Sequence, residues 1–266
     1  MSLTLAIDTH SVMFRAFYAA HAGGNGAEIG LNIMRRMLGG VIENSNPHYV
    51  FAARDPGKPT FRHELDDNYK GSRGSTPDEL KKMIPQAIQM LEESGIPVLC
   101  EDGFEADDIL ATMASQIKDG HHLIVLSSDR DLVGLVKPGV DLLMFVGGGQ
   151  QKWVTHENAH QVFGVPVHQV ADYKALVGDS SDNIPGVRGI GPKTAASLLE
   201  KYSDLESIIA AKDDLPPKVG NLLNEEAIQT ARLCKQLADL HNQVPLNLDA
   251  SQAKWSQEKM QALTRP

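Results

Sequence analysis

Apolar residues cluster in short runs through roughly the first 150 residues, at Leu3–Ile7, Tyr49–Ala53, Ile96–Cys100, Leu123–Leu126 and Val140–Val146. Runs of this length between polar and Gly/Pro residues predict strands. Helical patterns lie between them, including Gly30–Glu43, Pro77–Ser94 and Glu105–Ile117. Alternating strands and helices predict an α/β fold, a mostly parallel central sheet with helices on both faces. After Trp153 the pattern changes to short helices separated by Gly/Pro turns, with no strand expected. The expected organisation is an α/β core over residues 1–160, a helical region over 161–250 and a tail over 251–266.

The segment Pro56–Pro77 breaks the pattern. It is polar, and it interleaves Lys58, Arg62, Lys70 and Arg73 with Phe61 and Tyr69. A solvated surface loop is one reading. Basic residues among aromatics also suit single-stranded nucleic acid, which needs backbone charge neutralised and bases stacked.

Several expected strands lead into carboxylates. Leu3–Ile7 ends at Asp8, Tyr49–Ala53 runs to Asp55, Leu123–Leu126 runs on to Asp129 and Asp131, and Ile96–Cys100 leads to Glu105, Asp107 and Asp108. In open parallel sheets the ligand crevice lies beyond the carboxyl ends of the strands. A fifth segment, Gly178–Asp182, adds Asp179 and Asp182 if it folds back over that edge. Taken singly, each acid reads as a helix cap or turn former. Together they would repel, by about 4 kcal/mol for two charges ~4 Å apart at an effective dielectric of ~20. A convergent cluster therefore needs cations, and all-oxygen donors favour Mg²⁺, with Mn²⁺ able to substitute. Two such ions suit in-line attack on a phosphodiester.

Composition alters this picture little. The 266 residues carry a formal charge of −9, but setting the nine acids aside leaves 25 acidic residues against 25 basic ones. The excess acidity thus fits in one pocket. Cys100 and Cys234 have no metal-ligand or redox spacing, which sets a reduced cytoplasmic setting as the default. No membrane span or signal peptide is expected.

Ile184–Ala196 carries a second signal. Gly-Val-x-Gly-Ile-Gly before Pro-Lys-Thr reads as a tight turn entering a helix, with Pro192 at its first position. Glycines let backbone N–H groups approach a phosphate, and the helix N-terminus favours the anion. Such contacts read shape rather than sequence.

These residues resemble the 5′-nuclease (flap endonuclease) family, the N-terminal domain of bacterial DNA polymerase I and its stand-alone relatives. The matching strings are Asp8-x6-Arg15-Ala16-Phe17-Tyr18, Asp55-x5-Phe61-Arg62, Tyr69-Lys70-x2-Arg73, Glu105-Ala106-Asp107-Asp108, Ser128–Leu132, Gly178–Gly186 and the glycine hairpin. The resemblance implies a structure-specific 5′ nuclease with a nuclease core and a helix–three-turn–helix over residues 184–200. It implies an inner metal shell of Asp8, Asp55, Glu105, Asp107, Asp108 and Asp129, completed by Asp131, Asp179 and Asp182. Lys70, Arg15 and Arg73 match the family's basic residues, and Tyr69 an aromatic able to stack on a base. An arch or gateway would span residues 58–84. Gly189, Ile190, Gly191, Pro192, Lys193 and Thr194 would grip duplex DNA, with potassium on the carbonyls of Leu176, Val177, Pro185, Val187 and Ile190 as in some members. A monomer acting on DNA with a 5′ flap or overhang, beside a polymerase and a ligase, is implied. A DNA-binding protein without efficient catalysis is the alternative.

The sequence departs from the pattern at Arg54, where the family commonly has Phe, and at Gly134, where Gln is frequent. Strand alternation places Arg54 opposite Asp55, so a structural effect is expected there.

Overall fold

The computed structural model describes residues 2–21 and 26–265. Along the chain run β1 (Ser2–Asp8), α1 (Thr9–His21), α2 (Gly26–Ser45), β2 (Tyr49–Ala53), α3 (Phe61–Leu65), α4 (Asp78–Glu93), β3 (Val98–Leu99), α5 (Ala106–Ser115), β4 (His121–Leu126), β5 (Val140–Phe145) and β6 (Gln151–Val154). They continue with α6 (Val170–Val177), α7 (Pro192–Tyr202), α8 (Leu205–Ala210), α9 (Pro217–Gly220), α10 (Glu225–Ala238), α11 (Ala250–Ala253) and α12 (Gln257–Thr264). Among the described residues no helix is long and apolar enough to cross a membrane.

Two compact units form. The first holds Met1–Lys58, Ser75–His156 and His241–Pro266, and the second holds Pro59–Gly74 and Glu157–Leu240. The 58–84 stretch is divided between the units, the chain leaves the first unit after His156, and it returns there from His241 onward.

The first unit is the expected α/β fold. Its sheet has the order β3-β2-β1-β4-β5-β6, parallel except for β6, which runs antiparallel to β5. The near-continuous apolar runs fit strands covered on both faces. Leu5, Ile7, Val50, Ala52 and Ile124 point to one face and pack with Met13, Phe17, Met34, Leu38, Met83 and Leu91 from α1, α2 and α4. Full burial of each such large side chain stabilises by about 1.5–3 kcal/mol. The residues between them, including Ala6, Phe51 and Val125, are buried too, and α5 packs on β1 and β2. Register levels the carboxyl ends: Asp8 lies opposite Ala53, Ala53 opposite Leu99, and Ile7 opposite Leu126.

Three sequence expectations change here. The Ile96–Cys100 strand shrinks to Val98–Leu99, because Pro97 has no N–H to donate and only its carbonyl joins the ladder, accepting from Ala52 at 2.9 Å. The strand β6 lacked a signal, since only Val154 of its four residues is buried. The 251–266 tail is part of the core: Leu263 is fully buried, Trp255 donates its N–H to the His48 carbonyl at 2.8 Å, and α12 lies on α2 and α4. Its apolar residues Trp255, Met260 and Leu263 are too few for the pattern to stand out.

In the second unit α6, α7, α8 and α10 bury Leu176, Leu199, Leu205, Ile208, Ala231 and Leu237. Arg62 on α3 is 2% exposed. Its Nε donates to the Leu237 carbonyl at 2.9 Å and its Nη2 to the Asp239 carbonyl at 2.7 Å, at the C-terminus of α10. The guanidinium also stacks on Phe61, 4.6 Å from the ring centroid. Arg62 thus satisfies helix-end carbonyls that lack intrahelical partners, and is not a solvated cation of a nucleic-acid loop. Arg62→Ala is expected to cost about 3 kcal/mol in a denaturant titration, with Arg62→Lys recovering little because an ammonium cannot reproduce the fork. An unchanged midpoint in Arg62→Ala would show that this staple carries no weight.

Candidate active site

In the first unit the carboxylates gather on the levelled edge of the sheet. Asp8 ends β1 and is 5% exposed. Its Oδ2 accepts from Ser127 Oγ at 2.6 Å and its Oδ1 from the Ser11 N–H at 3.1 Å. Burial pushes the Asp8 carboxyl up to about 7 against these two hydrogen bonds, and the charges of Asp55 and Asp129 add to the rise. Ser127 Oγ accepts from the Asp129 N–H at 3.0 Å, and Asp129 Oδ1 accepts from the Asp131 N–H at 2.8 Å. The crevice between β1 and β4, where the strand order reverses, is therefore walled by Asp8 and the 127–131 turn.

Asp55 joins from β2. Its Oδ1 accepts from the Ala106 N–H at 2.9 Å, which docks the N-terminus of α5, and with it Glu105 and Asp107, beside the other acids. Asp108, implied for the inner shell, is the most buried of these acids. It is fully buried, its Oδ2 accepts from the Glu105 N–H at 3.0 Å, and its Oδ1 accepts from the His241 N–H at 2.9 Å. Both oxygens are held by backbone, so Asp108 shapes the Glu105–Asp107 turn and anchors the returning chain.

Three positive or titratable groups sit on the same edge. Arg15 donates from Nη2 to the Val146 carbonyl, next to the end of β5. Arg54 bonds through Nη1 to the Asp55 carbonyl at 3.0 Å, and its charge acts on His10. His10, which sequence reasoning missed, places Nδ1 3.7 Å from Asp55 Oδ2 and 3.3 Å from the Asp55 N–H. Burial lowers its pKa from the ordinary imidazole value, against the pull of Asp55, and Nδ1 accepts from the Asp55 N–H. No spacing motif singles out such a histidine.

In the second unit the loop between α6 and α7 is built by backbone contact. Gly178 and Gly186 have φ of +82° and +66°, and a Cβ on Gly186 would lie 2.3 Å from the Gly178 nitrogen. Asp179 and Ile184 exchange backbone hydrogen bonds at 2.7 and 2.8 Å, and the Val187 N–H bonds the Leu176 carbonyl at 2.8 Å. Gly186 is thus required by the loop's own packing rather than by an approaching phosphate. Gly191 differs: its φ is −99°, and nothing lies within 4 Å of where a Cβ would be. It precedes Pro192 at the first position of α7, followed by Lys193 and Thr194. Of the five carbonyls implied for potassium, that of Leu176 accepts from Val187, and that of Val187 accepts from the Ile190 N–H at 3.0 Å.

The 66–73 segment is tied to this loop. The Lys70 N–H bonds the Asp182 carbonyl at 3.0 Å, and Asn183 Nδ2 bonds the Asn68 carbonyl at 2.9 Å. Lys70 holds a φ of +55°, a strained value for a residue with a side chain, and such strain concentrates at functional positions. Tyr69 is 4% exposed, edge-on to His63, with its hydroxyl 3.4 Å from Asp182 Oδ2. Its ring is therefore a prop for Asp182 in this conformation and not an open stacking platform. Asp179 is bonded by Lys174 and by the Ser181 hydroxyl. Burial raises its carboxyl pKa, but these bonds outweigh it and hold the value at about 2.

Two family models match the chain in tandem: "5′-3′ exonuclease, N-terminal resolvase-like domain" over residues 3–164 and "5′-3′ exonuclease, C-terminal SAM fold" over 165–261. Among curated proteins, DNA polymerase I of Bacillus caldotenax is 36% identical over 250 residues, which is 91% of this chain and 28% of that protein. DNA polymerase I of Bacillus subtilis is 33% identical over 92% of this chain. The chain spans less than a third of the length of either relative. Among solved structures, a bacteriophage T5 flap endonuclease complexed with DNA and metal ions shares the fold, with a TM-score of 0.74 and 23% identity over 90% of this chain and 89% of that one.

Proposed function

The chain belongs to the 5′-3′ exonuclease family, and on that premise we propose that it is a structure-specific 5′ nuclease that hydrolyses DNA phosphodiesters near a single-strand/duplex junction. The observation that carries this reading is the buried Asp8 carboxyl on the same sheet edge as Asp55 and Asp129, with the N-terminus of α5 docked there by Asp55. A buried acid among acids is costly unless a cation binds it, and the donors are all oxygens, which fits Mg²⁺. Asp8, Asp55, Glu105, Asp107, Asp108, Asp129 and Asp131 would hold the ions on the first unit, and Asp179 and Asp182 on the second. When bound, such ions supply an activated water and neutralise charge on the leaving 3′ oxygen.

The chain's own residues do the rest. Ser127 and Ser11 fix Asp8, Ala106 fixes Asp55, and Asp108 fixes the turn that presents Glu105 and Asp107. Lys70 and Arg15 offer positive charge to the scissile phosphate. Gly191, Lys193 and the α7 N-terminus hold a duplex phosphate, where open space at Gly191 admits the DNA backbone. Potassium at the α6–α7 loop, a monomeric state, a cytoplasmic setting and partnership with a polymerase and ligase complete the reading.

The test compares a 5′ flap with a free end against one carrying a bulky 5′ block. Cleavage of the free flap near its base, and loss of cutting on the blocked one, is the expected result. Flap binding in EDTA with no turnover on adding Mg²⁺ or Mn²⁺ would instead establish a binding protein without catalysis. Lys70→Ala is expected to lower the single-turnover rate about a hundredfold while flap affinity changes little, because its charge acts where charge develops in the transition state. An equal loss of rate and affinity would assign Lys70 to binding alone.

A further inference from the structure

Asp179 and Asp182 each carry a protein cation. Lys174 Nζ lies 2.7 Å from Asp179 Oδ2, and that lysine side chain is 6% exposed. Arg73 Nη2 lies 2.5 Å from Asp182 Oδ1, and the arginine side chain is 52% exposed. Oxygens of the two carboxylates lie within 4.8 Å of each other. Bare, they would repel strongly; the two cations offset that repulsion.

The cations differ in how easily they leave. Lys174, on α6, is buried, and removing it would strand the Asp179 charge in a poorly solvated place. Arg73 stands at the water's edge, where it also donates to the Ser181 carbonyl at 3.2 Å. A guanidinium there can exchange a carboxylate for a phosphate, since both offer the same paired-oxygen geometry. Building on the nuclease reading, we propose that Lys174 is the permanent counter-ion of Asp179 and Arg73 the exchangeable counter-ion of Asp182. The acidic pair then takes up a divalent cation more readily once a DNA phosphate has drawn Arg73 away.

The surroundings suit this exchange. The Lys70 N–H on the Asp182 carbonyl and the Tyr69 hydroxyl near its carboxylate keep Asp182 in place when Arg73 departs. Lys174 is a positioning residue: it holds one oxygen of Asp179 while Ser181 holds the other through its hydroxyl and its N–H. Substrate and cation are coupled through Arg73, and the coupling is reciprocal.

The first test needs no metal. Flap affinity of the full chain is measured in EDTA for wild type, Asp182→Asn, Arg73→Gln and the double variant. Asp182→Asn releases Arg73 and is expected to tighten flap binding about tenfold, and most of that gain should vanish in the Arg73→Gln background. The same gain in both backgrounds would overturn the exchange. The second test titrates Mn²⁺ into the metal-free chain and follows free ion by electron paramagnetic resonance. Arg73→Gln should tighten the weakest class of site about tenfold, and the double variant should not. An Arg73→Gln titration that overlays wild type, in a protein that does bind Mn²⁺, overturns this proposal alone; a wild type that binds no Mn²⁺ overturns the metal reading and the proposal with it. For Lys174, the Tm of Lys174→Met should fall in EDTA and largely recover in Lys174→Met/Asp179→Asn. A double variant no more stable than the single would remove the counter-ion role.

Discussion

Asp8→Asn is expected to lower cleavage by at least a thousandfold and, in the same metal-free protein at pH 8, to raise stability. The first effect follows from losing a charged donor at the centre of the acidic edge. The second follows from the sign of its titration. The folded-state value near 7 lies above the ordinary 3.8, so the folded chain binds a proton that the unfolded chain has released. In EDTA the stability contributed by protonated Asp8 is fully present below pH 4 and is lost as pH rises towards 7. That loss is at most about 4 kcal/mol at one pKa unit per 1.36 kcal/mol. Asp8→Asn removes it, less the weakened bond to Ser127, for a net gain of about 1–3 kcal/mol at pH 8. Denaturant titrations in EDTA at pH 5 and pH 8 test this. Wild type should weaken between the two and Asp8→Asn should not; a variant less stable than wild type at both would show that no charge strain is stored there. Mg²⁺ should stabilise wild type more at pH 8 than at pH 5, since binding competes with the proton.

Gly186→Ala is expected to be the most damaging single change in the second unit. Its φ of +66° already costs a side chain about 1 kcal/mol, and a Cβ 2.3 Å from the Gly178 nitrogen forces the two backbones apart. Separation breaks the Val187–Leu176 and Asp179–Ile184 bonds, so a loss of more than 4 kcal/mol is expected, together with loss of flap binding. Gly191→Ala is the contrast. Nothing in the fold needs a glycine there, so Tm should stay within a degree or two while flap affinity falls about tenfold. If Gly191→Ala binds DNA as wild type does, the phosphate lies elsewhere. If Gly186→Ala melts like wild type, the loop packing does not hold the unit.

Much of the acidic edge was legible because strand ends are. Asp8, Asp55 and Asp129 follow apolar runs, and a parallel sheet brings the ends of such runs to one side whatever its strand order. The glycine hairpin was legible as a device but not in its division of labour, since the same letter serves a backbone clash at Gly186 and open space at Gly191. Roles decided by burial were illegible. Lys174 reads as an ordinary helical lysine until it is seen buried against Asp179, and Arg62 as a loop cation until α10 is seen to end on it. Asp108 shares its motif with Glu105 and Asp107, and nothing in that motif shows that it also takes the His241 N–H from far along the chain. His10 and Arg54 were hidden because their effect depends on where a long or flat side chain turns.

The most direct measurement is single-turnover cleavage of a 5′-flap DNA by wild type and by Asp107→Asn/Asp129→Asn, each with Mg²⁺ titrated from zero. Wild type should cut near the flap base only when Mg²⁺ is present, leaving a 3′-hydroxyl, while the double variant binds the flap but cuts at least a thousandfold more slowly at every Mg²⁺ concentration. Equal rates for the two proteins, or cutting by wild type in EDTA, would contradict the assignment of this acidic edge as the cation-dependent centre.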